Sequence, residues 1–167
     1  DLLSKIGPHS KAIMLVHMLG NPGRIEELRA IATRHGLALI EDCAQAFGAT
    51  YGGRWVGTHG VMGMYSFNEY KTITSGDGGM VVTDDEQLYR RAFAMHDQGH
   101  APDRLGSKYA TRPFLGMNLR MTELSGAVLL AQLRKLEAIR SHLRANKAIV
   151  KSALADLPGL GFRTMVD

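Results

Sequence analysis

The chain has 167 residues, of which 45% are hydrophobic and 22% charged, with a net charge of +4 and a single cysteine. That length is one domain's worth, enough to bury one core, and the near-average composition excludes wholesale disorder. No run of 18 apolar residues occurs, so no spanning helix and no membrane partner are expected. Cys43 alone forms no internal disulfide and fits a reducing cytoplasm. The basic excess gathers at Arg134, Lys135, Arg140, Arg144, Lys147 and Lys151. Without interleaved aromatics or a nucleic-acid motif it reads as a solvated helix face, so no nucleic-acid partner is expected.

Residues 12–18 (AIMLVHM) and 37–43 (LALIEDC) are short apolar runs of the kind that form strands. Between them Ile25, Leu28, Ile31 and Ala32 recur at helical spacing. Asn21 is the predicted N-cap, Pro22 suits the first helical position, and Gly36 suits the residue just past the end. A strand–helix–strand crossover makes its two strands parallel and right-handed.

A third run at 62–67 (MGMYSF) and a fourth at 79–84 (GMVVTD) are separated by only eleven residues. That link is too short for a helical crossover, so these strands are predicted to be antiparallel neighbours with Lys71 in the connection. Asp84, Asp85 and Glu86 then open a helix with Leu88, Ala92 and Met95 on its apolar side. Residues 97–117, rich in Gly, Pro and polar side chains, read as a loop able to cover an active site. Thr122 caps a long helical pattern that runs to about Ala155 through Leu124, Ala127, Val128, Ala131, Leu133 and Leu136. Pro158 and Gly159 stop it.

Lys71 carries the functional signal because of its company. Ser66 stands five positions before it in YSFNEYK, the glycine-rich TSGDGG follows, and EDCAQ at 41–45 lies a strand upstream. Pyridoxal phosphate (PLP) asks a protein for an amine to hold its aldehyde, a carboxylate to keep its pyridine nitrogen protonated, and donors for its phosphate. Lys71, Asp42 and Ser66 supply one of each. Asp42 ends a strand, where open parallel sheets present their ligand crevice. Singly, a strand-end Asp or Ser more often serves a turn, and most lysines are simply solvated. The combination carries the reading.

The neighbours are less decisive. Gln45 satisfies either a ligand or backbone groups in the turn, and Ala44 is either a close-approach position or a small core residue. Asn118 reads as a turn or cap residue as readily as a ligand contact, and Arg120 as a salt bridge or a substrate contact. His17, His59, His96 and His100 show no metal-ligand spacing, so no metal is expected. Cys43 reads as a small buried hydrophobe.

Four segments together resemble the DegT/DnrJ/EryC1/StrS family of PLP-dependent aminotransferases: AIMLVHMLGNPG at 12–23, EDCAQAFGATYGGRWVG at 41–57, YSFNEYKTITSGDGGMVVT at 65–83 and LGMNLRMTELSGA at 115–127. The chain departs from the family pattern in GDGG at 76–79, where GEGG is usual, and in Val61, where Asp is common. The resemblance implies an α/β fold, the central part of the fold-type-I large domain. Its sheet is mostly parallel with one antiparallel strand, with helices on both faces and a long C-terminal helix. Residues 1–167 would be one partial large domain, lacking the family's N-terminal segment and small C-terminal domain.

The resemblance also assigns roles. Asp42 would pair with the PLP pyridinium, Gln45 would meet the cofactor's phenolic oxygen, and Ala44 would admit the ring. Ser66 would donate to the phosphate, Lys71 would be the Schiff-base lysine, and Asn118 would reach the phosphate of a partner subunit's cofactor. The implied activity is transfer of an amino group from glutamate or glutamine to a keto-sugar nucleotide, keto-sugar or keto-cyclitol, in a homodimer with shared active sites. Two rivals are a noncatalytic protein that keeps the fold for partner binding or regulation, and a deoxysugar dehydratase of the same family. The dehydratases carry histidine at the lysine position, and Lys71 argues against that reading.

Overall fold

A computed structural model describes residues 1–102 and 115–164. Strands β1 (Ala12–Val16) and β2 (Ala38–Asp42) bury alternate residues. They pair in parallel, with Ile13 beside Leu39 and Leu15 beside Glu41, so these four side chains share one face. Helix α1 (Ile25–Arg34) connects the strands and lays Ile25 and Ala32 on that face, against Ile13, Leu15 and Leu39. This is the predicted crossover.

The ends of α1 divide the sequence-based expectations. Gly36, at φ 64°, ends the helix with paired bonds from Leu37 N–H to Ala32 O (2.8 Å) and from Gly36 N–H to Thr33 O (3.2 Å). The start differs: α1 begins at Ile25 with Arg24 at the N-cap, and Asn21 caps nothing. The Gly23 N–H that an Asn21 cap would have received donates instead to His17 Nδ1 at 3.1 Å. Asn21 itself donates from its amide to Thr164 O at 3.2 Å.

Between the second and third strands of the sheet lies a small hairpin, β3 (Thr50–Tyr51) and β4 (Arg54–Trp55), turning at Gly52 and Gly53 with φ of 54° and 75°. Two consecutive left-handed residues make the turn that matches strand twist, and glycine adopts it without strain. Strand β5 (Met62–Ser66) then runs parallel to β2, and β6 (Gly79–Val82) returns antiparallel to β5. The sheet order is β1-β2-β5-β6, with Lys71 in the β5–β6 link. The fold is α/β, mostly parallel with one antiparallel strand, as expected. On the face away from α1, Met14 and Val16 of β1 and Val81 of β6 are exposed.

Helix α2 (Glu86–His96) starts at Asp85, whose carboxylate accepts from Gln87 N–H at 2.8 Å and Leu88 N–H at 3.0 Å. Thr122 caps α3 (Glu123–Leu133) by accepting from Ser125 N–H at 3.1 Å. The single long C-terminal helix is not formed: the path breaks at Arg134 and Lys135 and resumes as α4 (Leu136–Ala153). At the break Lys135 N–H bonds three residues back, to Gln132 O at 2.9 Å. No Gly or Pro stands there. Leu129 of α3 and Leu136 and Ile139 of α4 all pack on one cluster with Phe67, Ile73 and Phe47, and that packing sets the bend.

Of the predicted loop at 97–117, residues 103–114 lie outside the described residues. Its two ends are tied together: Gln98 N–H donates to Met117 O at 2.9 Å, and Met117 N–H to Met95 O at 2.7 Å.

Candidate active site

Strands β1, β2 and β5 are parallel, so their C-terminal ends open on one edge. Asp42 pairs with Val16 on one side and Met64 on the other. Ser66 stands two residues beyond Met64, which puts Asp42 and Ser66 on the same face of the sheet, the face away from α1. Ser66 also pairs with Gly79, the first residue of β6, so the intervening link projects beyond this same edge. Lys71 sits in it, half-buried, its N–H turned back to Asn68 O at 3.0 Å. Among the described residues its amine makes no ion pair or hydrogen bond.

Asp42 Oδ1 accepts the Ala44 N–H at 2.9 Å, which fixes the carboxylate at the strand end. Gln45 Oε1 accepts the Leu19 N–H at 3.0 Å. A backbone N–H only donates, so the amide oxygen must face Leu19 and the NH₂ end is left to donate elsewhere. Leu19 holds φ 55°, a left-handed backbone uncommon for a leucine, and it does so at this edge. Ser66 Oγ lies 3.4 Å from the Asn68 N–H, a long contact in which the hydroxyl accepts, so its own proton remains available. One carboxylate, one unpaired amine, one hydroxyl and one oriented amide thus occupy a single edge. This donor set fits PLP, with half-buried Ala44 beside the carboxylate.

A second constellation lies behind the site and was passed over in the sequence. Glu41 is fully buried and accepts four hydrogen bonds: from His17 Nε2 at 3.0 Å, Gly57 N–H at 2.8 Å, and His59 and Gly60 N–H at 2.7 Å each. Burial alone would raise its pKa, but the His17 bond and the three backbone donors outweigh it and hold the carboxyl near about 2. His17 Nδ1 receives the Gly23 N–H, so that nitrogen carries no proton. The ring is therefore the neutral Nε2–H tautomer. The signal was present: His17 continues the buried alternation Ile13, Leu15, and Glu41 continues Leu39.

His17, Glu41 and Cys43 bring their ligating atoms within 4.8 Å of one another. The His17 and Glu41 lone pairs are committed to the hydrogen-bond network, however, and burial, with Glu41 and Asp42 nearby, pushes the Cys43 thiol up to about 12. Gly63 lets the 57–60 loop reach Glu41, because a Cβ there would strike the Gly57 backbone.

Asn118 lies apart from this edge. It forms a β-bridge with Asp97 at the end of α2, and no hydrogen bond or ion pair among the described residues joins it to Asp42, Gln45, Ser66 or Lys71. Arg120 proves to be a salt-bridge residue, with Nη1 at 2.8 Å from Asp97 Oδ1. Its neighbour Met121 approaches the glycine run, with Cε 3.1 Å from where a Gly78 Cβ would stand.

The model of the DegT/DnrJ/EryC1/StrS aminotransferase family matches residues 1–166, and the chain belongs to that family. GDP-perosamine synthase of Escherichia coli O157:H7 is 41% identical over 157 residues, covering 94% of this chain and 42% of the relative. L-glutamine:2-deoxy-scyllo-inosose aminotransferase of Streptoalloteichus tenebrarius is 38% identical over 158 residues, covering 90% of this chain and 37% of the relative. The sugar aminotransferase CalS13 of Micromonospora echinospora superimposes with a TM-score of 0.88 at 35% identity, covering 100% of this chain and 47% of that structure. The chain thus spans less than half the length of each. No helix among the described residues is long and apolar enough to cross a membrane.

Proposed function

We propose that this chain is the cofactor-binding part of a PLP-dependent aminotransferase that moves an amino group from glutamate or glutamine to the ketone of a nucleotide-linked sugar, sugar or cyclitol. The observation that carries the reading is the shared edge: Asp42 and Ser66 on one face, with the Lys71 amine in the next link. Sugar and cyclitol aminotransferases among the relatives support the acceptor class, and a glutamine-dependent enzyme among them supports the donor.

When bound, PLP would supply an electron sink for chemistry at the donor's alpha carbon. The protein's residues do the rest. Asp42 keeps the pyridine nitrogen protonated, the Gln45 NH₂ donates to the phenolic oxygen, and the Ser66 hydroxyl donates to the phosphate. Lys71 would hold the cofactor's aldehyde and would be the group placed to move a proton at the donor's alpha carbon. Asn118 donates to the phosphate in a partner subunit's site, which makes the working unit a homodimer. The cytoplasm, where nucleotide-linked sugars are made, is the compartment that fits.

Borohydride reduction of the complete gene product, followed by peptide mass spectrometry, tests the reading. The cofactor's mass is expected on Lys71, and a label on any other lysine would overturn it.

A further inference from the structure

Asn118 is held on three sides. Backbone bonds from Gln98 N–H to Met117 O at 2.9 Å and from Leu119 N–H to His96 O at 2.9 Å stitch its strand to the end of α2. Gly116 permits that approach, since a Cβ there would strike Ala94 O and Gly99 N. The third tie is Arg120, whose Nε donates to Asn118 Oδ1 at 3.2 Å while its Nη1 donates to Asp97 Oδ1 at 2.8 Å. Asp97 is only 2% exposed, so the guanidinium is moored on a buried carboxylate.

This bridge decides which way the Asn118 amide points. Arginine has five N–H donors and no acceptor, so the atom facing Nε must be the amide oxygen. The NH₂ end, with two donors and no lone pair to repel an anion, is the end turned away. Asp97 meanwhile holds the Arg120 guanidinium as its ion-pair partner.

We infer that Arg120 is a positioning residue: moored on Asp97, it holds the Asn118 amide oxygen inward and turns the NH₂ outward to donate to a phosphate monoester, that of the cofactor across the dimer interface. The inference rests on the proposed function, in which Asn118 meets that phosphate. Free amide rotation would instead present oxygen or nitrogen with similar ease, and the oxygen would repel phosphate.

The test compares affinities of the complete gene product for PLP and for pyridoxal, which lacks the phosphate, by absorbance titration. Arg120→Met is expected to weaken PLP roughly tenfold or more, the scale of a hydrogen bond to a charged group, and to leave pyridoxal within about twofold. Equal losses for both ligands would mark a purely structural role and overturn the inference, as would no loss at all. Arg120→Lys serves if the Met variant does not fold: its ammonium can pair with Asp97 but offers no second fork to the amide, so PLP should again weaken selectively. An unchanged PLP-to-pyridoxal ratio in that variant would overturn the inference too.

Asn118→Ala separates the two readings. Selective loss of PLP in Asn118→Ala but not in either Arg120 variant defeats the positioning role alone. No selective loss in Asn118→Ala defeats the phosphate contact itself, and the inference with it. In the double variant Asn118→Ala/Arg120→Met the PLP loss should match that of Asn118→Ala, because Arg120 acts through the amide. An additive loss would show Arg120 meeting the phosphate directly and overturn the inference.

Discussion

Glu41 Oε2 accepts the Nε2 proton of His17 at 3.0 Å, and both side chains are fully buried. Because His17 Nδ1 is itself an acceptor, the pair is a neutral imidazole bonded to a carboxylate rather than two opposite charges. Glu41 thereby ties the ends of β1 and β2 to the loop leading into β5, directly behind Asp42.

The pH dependence of folding should report this pair. Glu41 titrates from 4.5 down to about 2 on folding, so it binds fewer protons folded than unfolded in that window. Its contribution, on the order of 3 kcal/mol, is complete above pH 4.5 and is lost as pH falls toward 2. Glu41→Gln should therefore be less stable at neutral pH and flatter between pH 4.5 and 2. Urea unfolding at several pH values measures both, and a variant with unaltered acid sensitivity would refute the assignment.

The sheet and the Lys71 link were legible in the sequence because strand spacing is local. Eleven residues cannot hold a helical crossover, and that count alone made β5 and β6 antiparallel. The β3–β4 turn at Gly52 and Gly53 is also local, yet its two-residue strands are too short for a periodic signal, and the sequence pattern predicts no hairpin there. Three features were not local. The break at Arg134 and Lys135 is imposed by the Phe67 cluster, the start of α1 by a His17 acceptor six residues before Gly23, and the Glu41 network by segments far apart in sequence. For the site, Asp42, Ser66 and Lys71 fall on the edge the motifs pointed to, whereas the orientation of Gln45 and Asn118 depends on contacts that no pattern encodes.

Asp42→Asn should fold normally, since an amide oxygen can still accept the Ala44 N–H. Its charge is gone, however, and with it the group proposed to keep the pyridine nitrogen protonated. Turnover is expected to fall by roughly two orders of magnitude or more, the scale of a lost electrostatic partner. Steady-state kinetics should place the loss in kcat, and a change confined to KM would argue against the electronic role.

Lys71→Ala should abolish amino transfer yet barely alter stability. The amine has no ion pair among the described residues to lose, and none of the mechanisms behind large destabilisation applies at this half-buried link position, so the change should stay within about 1 kcal/mol. Thermal unfolding and a turnover assay on the same preparation separate the effects. Activity at the parental level would exclude Lys71 from the chemistry.

If Asn118 works across the interface of a dimer, mixing an Asn118-defective subunit with a Lys71-defective one places both lesions in one site of the mixed dimer and leaves the other site intact. Part of the activity should return on mixing if Asn118 works across the interface. Demonstrably mixed dimers that stay inactive would confine Asn118 to its own subunit.

Expressed as these 167 residues alone, the protein should self-associate and bind PLP weakly. Leu115 is 97% exposed and Leu124 81%, and Met117, Leu119, Val128, Leu130 and Leu133 are also exposed along the same stretch of chain. Apolar surface of that extent drives association in water. The free edges of β1 and β6 in the described sheet add backbone groups that pair readily with another strand. Asn118 stands at the start of this stretch, so a PLP site shared between subunits would be completed only where association happens to reproduce the working interface. Light scattering and absorbance titration on the purified polypeptide measure both properties. A monodisperse monomer that binds PLP tightly would show that neither the exposed leucines nor a second subunit matters to the site.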